Sequence, residues 1–562
     1  MEEVDTIKEV ASELEAIVDH IQTVTQALQI PALPQPWLPP LAERLYVETL
    51  DQGRQPLSDV TFTFGLADLP HEQKQEAVSV NLTTEGNVAL YGAPGTGKTT
   101  FLQTAIMSLA RHYRPDQVQF YLLDFGTNGL APLSQLPHVA DWLLLDQEEK
   151  VSKFTRIMTK ELARRKKLLS QHGVGSMKLY QEVTGQREPT LVVVLDSFEG
   201  IKDASFETEL QQLLVRLTRE GLSVGVHLIV TAGRQLSLRA TLHSNIKVQM
   251  SLPQNDYSDV TTAVGSTPLA RHMDNIKGRI LMKRDQVDVV QIALPVEAES
   301  DVQMIDKLRT EALQLKEDWT GEVPSAIPMV PEELTEEYFF SLPSVQEAIK
   351  KGEIPLGLDL ENVEALSWNG RDNLLYLAEK EKNMEEIIHL LSYSSKKLIV
   401  LAPDDRGLRT DELHFLYDIN EVASMIGAIY QRIEERLLEK VNRFDTVVVL
   451  YDWENLVEIL NQETRDELHF IIKKGSKVGY PVFVSASPHL SRKIDAVSKD
   501  IRGFKMGVID VRLNDQTIFN PIGKPYREPV LKDQEHYLVT NEGFTIIKIP
   551  FVKLRSRNVK SR

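Results

Sequence analysis

Apolar residues fall in two spacings along the first half of the chain. Short, largely apolar runs come at Val88-Ala89-Leu90-Tyr91, Val118 to Leu123, Leu191 to Leu195 and Val224 to Val230. Runs of this length without alternation predict strands buried on both faces, as in a parallel sheet. The second to fourth each close on a polar residue, Asp124, Asp196 and Thr231. Between the runs the spacing turns helical, after Lys98, across Val151 to Leu169, and over Val302, Ile305, Leu308, Ala312, Leu315 and Trp319. At the start, Val4, Ile7, Ala11, Leu14, Val18, Ile21 and Leu28 repeat at heptad spacing, broken only at Thr25. They predict an amphipathic helix over residues 1–30, either packed on a neighbouring domain or self-associated as a coiled coil. Pro31, Pro34, Pro36, Pro39 and Pro40 around Trp37 predict a stiff, extended connection next. An N-terminus of this kind suggests a chain that begins within an interdomain linker.

The pattern then repeats. Phe64-Gly65-Leu66-Ala67-Asp68 recurs as Leu356-Gly357-Leu358-Asp359, and Val88 to Tyr91 as Leu374 to Leu377. Val192 to Glu199 recurs as Val447 to Glu454, Gly221 to Ala232 as Gly475 to Ala486, and Ile280 to Ile292 as Tyr537 to Ile549. Five collinear matches predict two copies of one α/β module. The expected organisation is a helix and Pro-rich linker over 1–56, a first module over 57–295, a partly helical linker over 296–350 and a second module over 351–562.

The first run ends in Gly92-Ala93-Pro94-Gly95-Thr96-Gly97-Lys98-Thr99-Thr100, the Walker A pattern G-x-x-x-x-G-K-[ST]. It sits between a strand and a helix, where backbone N–H groups and a helix N-terminus can surround phosphates. Lys98 is expected to reach the β- and γ-phosphates, and the Thr99 hydroxyl to ligate Mg²⁺. Asp196, closing an apolar strand downstream, reads as the Walker B carboxylate beside the metal. The cofactors expected are therefore ATP and Mg²⁺. A further strand between the two Walker strands, with a polar-tipped strand beyond, points to the RecA/AAA-like branch of P-loop NTPases. The second copy keeps the strands and loses the chemistry. Ala378, Asn383, Met384 and Glu385 stand where the first has Gly92, Gly97, Lys98 and Thr99, and Tyr451 stands where it has Asp196. The fold class expected is α/β, with tandem P-loop modules on parallel central sheets, the second degenerate.

Composition narrows the function. The net charge is −18 over 562 residues, which disfavours a large nucleic-acid footprint. The basic end, Lys553 to Arg562, is expected to be a solvated tail. The absence of cysteine excludes disulfides, thiolate zinc sites and thiol catalysis. No apolar run approaches a membrane span, so a soluble chain is expected.

The P-loop module resembles the FtsK/SpoIIIE family of motor ATPases, through Val226-His227-Leu228-Ile229-Val230-Thr231-Ala232-Gly233-Arg234. Pro36-Trp37-Leu38-Pro39-Pro40, Asp124 to Leu130 and the degenerate tandem are similar to its EssC/EccC-type members, the membrane ATPases of type VII (ESX) secretion. The resemblance covers the whole chain, as the last two of three tandem ATPase domains. It implies the cytosolic portion of a cell-membrane protein, joined to an upstream ATPase domain and to other membrane components of the system. It also implies export of WXG100-type helical-hairpin proteins, a hexamer when active, and binding of substrate signals by the last domain.

Three departures bear on turnover. Family members usually carry Asp-Glu at the end of the Walker B strand; here Ser197 follows Asp196, and Glu199 is the next acid and a weak catalytic candidate. Ser258, in Asp256-Tyr257-Ser258, stands where the family's trans-acting arginine would be, and Gly233 replaces a γ-phosphate-sensing Gln. The first module is therefore expected to bind ATP and to hydrolyse it slowly or not at all, the nucleotide acting as structural glue or a state switch. The second is expected to dock or regulate. A DNA translocase of the same motor family and an ATPase of other purpose stay open as alternatives.

Overall fold

The computed structural model describes residues 12–30, 38–51, 59–273, 275–379, 381–393, 396–405, 413–441, 443–526, 528–540 and 542–551, with the side chains of 381–386 and 413–414 left aside. The chain divides into two compact units, Met1–Ile327 and Pro328–Arg562. Val4, Ile7, Ala11, Trp37 and the basic tail lie outside the described residues.

The first unit is built on strands β1 (Thr61–Leu69), β2 (Lys74–Asn81), β3 (Val88–Tyr91), β4 (Val118–Asp124), β5 (Val139–Leu144), β6 (Thr190–Asp196), β7 (Val226–Ala232), β8 (Val248–Ser251), β9 (Arg279–Lys283) and β10 (Val287–Ile292). They form one ten-stranded sheet in the order β2-β1-β10-β9-β8-β3-β7-β6-β4-β5. The stretch from β8 to β5 is parallel throughout. From β8 to β2 every pairing is antiparallel. β3 and β7 are buried at every residue and β6 at all but its first, as strands covered on both faces must be. The sheet's core includes Phe62, Phe64, Phe101, Phe120 and Val192.

The second unit holds β11 (Ile354–Asp359), β12 (Ala365–Trp368), β13 (Leu374–Leu377), β14 (Lys397–Leu401), β15 (Leu413–Leu416), β16 (Thr446–Leu450), β17 (Val482–Ala486), β18 (Met506–Ile509), β19 (Glu535–Thr540) and β20 (Phe544–Lys548). Its sheet order is β12-β11-β20-β19-β18-β13-β17-β16-β14-β15, the first order with ten added to each strand. All five sequence matches fall on equivalent strands, so the two copies of one module are real.

The copies share buried polar ties as well as strands. Asn87, just before β3, donates its side-chain amide to Thr218 O at 3.2 Å and accepts from Leu228 N at 2.8 Å. Asn373, just before β13, does the same with Ile472 O at 2.9 Å and Val482 N at 3.0 Å. Each asparagine thus joins the start of the central strand, β3 or β13, to a helix and to the neighbouring strand, β7 or β17. Arg165, on the long helix Glu148–His172, is buried and donates to Val224 O at 3.0 Å and Pro189 O at 2.8 Å. Arg436, on the helix Ile419–Glu439, repeats this on Val478 O at 3.0 Å and Arg443 O at 2.9 Å.

Three expectations need adjusting. Val224 and Gly225 do not belong to the strand; Val224 closes the helix Glu207–Val224, and Gly225 at φ 67° turns the chain into β7. The helix Asp301–Asp318 docks through Met304, Leu308 and Ala312, while Val302 and Ile305 are exposed. Met304, Leu308 and Ala312 form one i, i+4 stripe, and Val302 and Ile305 lie off it. The segment 296–350 is shared between the units: Val296 to Ala312 supplies the first core, and Leu334, Phe339 and Val345 supply the second.

The N-terminal helix, Glu13–Ala27, begins with a capping box between Ser12 and Glu15 and buries none of its residues. Among the described residues no helix is long and apolar enough to cross a membrane.

Candidate functional site

The residues of the Walker pattern form the turn from β3 into the helix Lys98–His112. The strand's last backbone groups fix the loop's entry. Gly92 N donates to Ala232 O at 3.1 Å, at the end of β7, and Ala93 N to Pro253 O at 3.2 Å. Inside the loop, Thr96 Oγ1 donates to Ala93 O at 2.8 Å. Gly97, at φ 117°, caps the helix in a conformation that L side chains rarely adopt. Pro94 and Gly95 occupy the outer bend, and Thr100 follows in the first helical turn.

The Lys98 ammonium lies across the loop, donating to Gly92 O at 2.7 Å and Ala93 O at 3.3 Å. Burial lowers its pKa, and the negative charges of Glu199 and Asp196 oppose that shift. Thr99 Oγ1 donates to Asp196 Oδ2 at 2.7 Å across 97 residues of sequence. The hydroxyl and the carboxylate expected at the metal therefore meet at one point beside the loop. Both are hard oxygen donors, the kind Mg²⁺ takes when it is bound by one or two protein groups with phosphates and water. Thr99 and Asp196 would hold that ion, which when bound neutralises charge on the phosphate oxygens.

Two side chains that the sequence pattern marked only as polar strand tips complete this corner. Thr231, on β7, donates to Asp196 Oδ1 at 2.6 Å and accepts from Ser197 N at 2.9 Å. Asp124, at the end of β4, lies in register with Asp196. Its Oδ2 accepts from Leu130 N at 2.8 Å. Burial raises its pKa, and the charge of Asp196 adds to that. Asp124 closes the loop Phe125–Leu130, which packs on the P-loop helix: Gly129 O accepts from Gln103 Nε2 at 2.7 Å. A Cβ on Gly129 would fall 2.4 Å from Thr99 Cγ2. Glycine is required there because the loop backbone touches the Thr99 side chain.

Glu199 sits on the short turn Phe198–Ile201 beyond β6, and its Oε2 accepts from Gly233 N at 3.0 Å. Ser258 lies in the first turn of the helix Tyr257–Val264, its N–H held by Asp256 at 2.8 Å.

The equivalent corner of the second unit keeps the scaffold. Ala378 N donates to Ala486 O at 3.1 Å, as Gly92 does to Ala232. Ser485 accepts from Asp452 N at 2.9 Å, as Thr231 does from Ser197. Asp452 and Ser197 share positive φ, 52° and 64°. The buried Tyr451 fills the position of Asp196. The side chains of Asn383, Met384 and Glu385 lie outside the described residues.

Residues 59–279 match the FtsK/SpoIIIE family. The chain is 33% identical over 96% of its length to the type VII secretion system protein EssC of Staphylococcus aureus (strain MSSA476), and spans 37% of that protein's length. Its structure is similar to EssC (ATPases 2 and 3) from Geobacillus thermodenitrificans, with a TM-score of 0.82 and 28% identity over 92% of this chain and all of that one. It shares its fold with Thermomonospora curvata EccC (ATPases 2 and 3) in complex with a signal sequence peptide, at a TM-score of 0.58 and 20% identity over 92% of this chain and all of that one. With intact Walker residues on the first of two tandem modules, the chain belongs to the EssC/EccC-type ATPases of the FtsK/SpoIIIE family.

Proposed function

We propose that the first unit binds ATP with Mg²⁺ and turns it over slowly or not at all, and that the chain serves as the ATP-binding cytosolic part of a type VII secretion motor. The observation that carries the nucleotide reading is the 2.7 Å contact between Thr99 and Asp196 beside a complete P-loop. Lys98 would exchange its loop carbonyls for phosphate oxygens, and the loop's N–H groups would complete the cradle. The slow-turnover reading rests on Ser197 and Ser258, which offer no carboxylate beside Asp196 and no guanidinium for a neighbouring site. Bound nucleotide then acts on stability: at a hundredfold excess over Kd it adds about 2.7 kcal/mol to the folded state.

The second unit keeps the module's fold and has neither the phosphate-binding lysine nor the Walker B aspartate. We assign it a docking or regulatory role toward exported WXG100-type proteins. Supporting this is the related EccC pair, of the same fold, that was solved with a signal sequence peptide. The other partners this reading implies are an upstream ATPase domain, the membrane components of the secretion system and a hexamer in the assembled machine.

The test is a set of titrations on the full chain. Mg·ATP should bind saturably, with phosphate release near background, and Lys98→Ala should abolish the binding. A WXG100-type protein with its C-terminal signal should bind while duplex DNA of similar mass does not. Salt-sensitive DNA binding without protein binding would replace the secretion reading by a DNA translocase.

A further inference from the structure

The chain contains two Asn-Gly steps, Asn128-Gly129 and Asn369-Gly370. Such a step is chemically labile. Glycine has no Cβ to shield its backbone nitrogen, which can attack the side-chain amide before it. The fold treats the two steps oppositely. Asn369 is tied down: its Oδ1 accepts from Arg371 N at 2.8 Å and Asp372 N at 3.4 Å, and its Nδ2 donates to Asp372 Oδ2 at 3.3 Å. The side chain thus closes an Asx turn. Gly370 is buried, and its carbonyl accepts from Lys396 Nζ at 2.9 Å.

Asn128 has none of these restraints. It stands in the loop Phe125–Leu130 beside Gly126 and Thr127, all three exposed. Its φ of 58° lies in the left-handed region that asparagine tolerates. Among the described residues, neither its side chain nor the Gly129 N–H makes a hydrogen bond. The loop's other side is the nucleotide corner. Gly129 lies against Thr99 with no room for a Cβ. A Cβ on Gly126 would fall 2.8 Å from Ser197 Oγ and 3.7 Å from Asp196 Oδ2.

We propose that Asn128 is a site of spontaneous covalent modification, and that its conversion weakens nucleotide binding by the first unit. The second half of this rests on the nucleotide-binding reading above; the first half does not. The Gly129 nitrogen attacks Asn128 Cγ. A C–N bond forms, the Cγ–Nδ2 bond breaks, and the Gly129 proton leaves with the side-chain nitrogen as ammonia. The product is a succinimide ring. Water opens it at either carbonyl, giving aspartate with the main chain unchanged or isoaspartate with the main chain running through Cβ and Cγ. Water is the only co-reactant, and nothing is oxidised or reduced. Both products carry a carboxylate where the amide was neutral. That charge adds to Asp124 and Asp196 behind the loop and opposes phosphate. Isoaspartate also lengthens the main chain by a methylene directly before Gly129, whose place against Thr99 leaves no slack. The attack requires the loop to open from its packed form, so a ligand that holds Thr99 and Asp196 in place slows it. An empty site therefore loses affinity with age, and an occupied one is preserved.

The experiment incubates the full chain at mildly alkaline pH, alone and with Mg·ATP, and follows both Asn-Gly steps by peptide mapping with mass spectrometry. Asn128 should convert to two separable products while Asn369 persists, and Mg·ATP should slow the conversion at Asn128. By calorimetry, fresh Asn128→Asp should bind Mg·ATP about fivefold more weakly than the parent. Asn128→Gly suits the φ of 58° and carries no amide. It should keep its affinity through the same incubation, while the parent loses binding sites in step with conversion. Equal conversion at Asn128 and Asn369, or none at Asn128 while a peptide of residues 125–132 converts, would overturn the modification. Conversion with unchanged affinity, in the aged parent and in Asn128→Asp alike, would overturn its consequence. If the fresh parent binds no Mg·ATP, the nucleotide reading fails and the affinity half falls with it.

Discussion

Glu199 accepts a hydrogen bond at 3.0 Å from the backbone N–H of Gly233, and so clips the turn beyond β6 to the end of β7. The second unit repeats the clip where no Walker chemistry is left. Glu454 accepts at 2.9 Å from both the N–H and the hydroxyl of Ser487. A contact shared by a module with the Walker lysine and one without it belongs to the scaffold. We therefore assign Glu199 to holding the corner around Asp196. Glu199→Ala and Glu454→Ala should each cost about 1–3 kcal/mol, the range for a charge-assisted hydrogen bond lost, while Glu199→Gln should leave Mg·ATP affinity unchanged. Urea unfolding and calorimetry read the two effects. A loss of phosphate release in Glu199→Gln at unchanged affinity would restore the glutamate to catalysis.

Gly129 makes a second prediction, because its backbone leaves no room for a side chain beside Thr99. With a Cβ there, 2.4 Å from Thr99 Cγ2, the threonine has to turn, and its hydroxyl leaves Asp196. Gly129→Ala should lower ATP affinity about tenfold in the presence of Mg²⁺, as disturbing the support of a metal ligand does. In a chelator the variant and the parent should bind ATP alike. Equal weakening with and without Mg²⁺ would mean that the loop acts on the phosphates and leaves the metal alone.

How much of this was legible depends on how far apart the partners are. Strands buried on both faces leave apolar runs, so β3, β4, β6 and β7 could be read directly, and the Walker loop carries its own spacing. The duplication was legible because the same runs return in order. What escaped were single polar residues whose role depends on distant partners. Asn87 reaches Thr218 and Leu228, 131 and 141 residues away, and nothing beside it in sequence announces either. Thr231 was visible as a polar tip, while its bond to Asp196 required the two strands side by side. The border between Val224 and β7 was hidden because apolar residues run through it and only Gly225 marks the turn.

Those asparagines carry the third prediction. Asn87→Ala removes two bonds at once and leaves Thr218 O and Leu228 N without this partner inside the fold. A buried polar group left unmatched costs about 1–3 kcal/mol, so the variant should lose about 2–4 kcal/mol. Asn373→Ala should lose a similar amount, since its geometry is the same. Denaturant midpoints at constant m-value give the comparison. A loss below about 0.5 kcal/mol, typical of surface changes, would show that the bonds contribute nothing that other contacts do not supply.

The last prediction concerns acid. His138 and His227 are buried in the first unit. Burial lowers the pKa of His138 from 6.5 to about 4, against the pull of its bond to Tyr113 O. Burial, with the charge of Arg165 added, lowers that of His227 from 6.5 to about 3. Both rings are therefore neutral in the folded chain at neutral pH. The unfolded chain takes up protons near pH 6.5, where the folded chain does not, so it is the unfolded state that gains as pH falls. Stability is full above about pH 6.5 and declines as pH drops toward the folded values, by up to about 1.4 kcal/mol per pH unit for each histidine. Glu161 adds a second limb lower down. Burial would raise it, but Arg164 and Arg165 hold it at about 2, so its contribution is lost as pH falls from 4.5 toward that value. Between pH 7 and pH 5 these two rings act together with His536, which is buried in the second unit and likewise lowered by burial, and the parent should weaken steadily across that window. His138→Gln combined with His227→Leu should make the curve shallower there, with His536 still in place, and leave the fall below pH 4.5 unchanged. A double variant that weakens between pH 7 and pH 5 as steeply as the parent would assign the proton uptake to other groups.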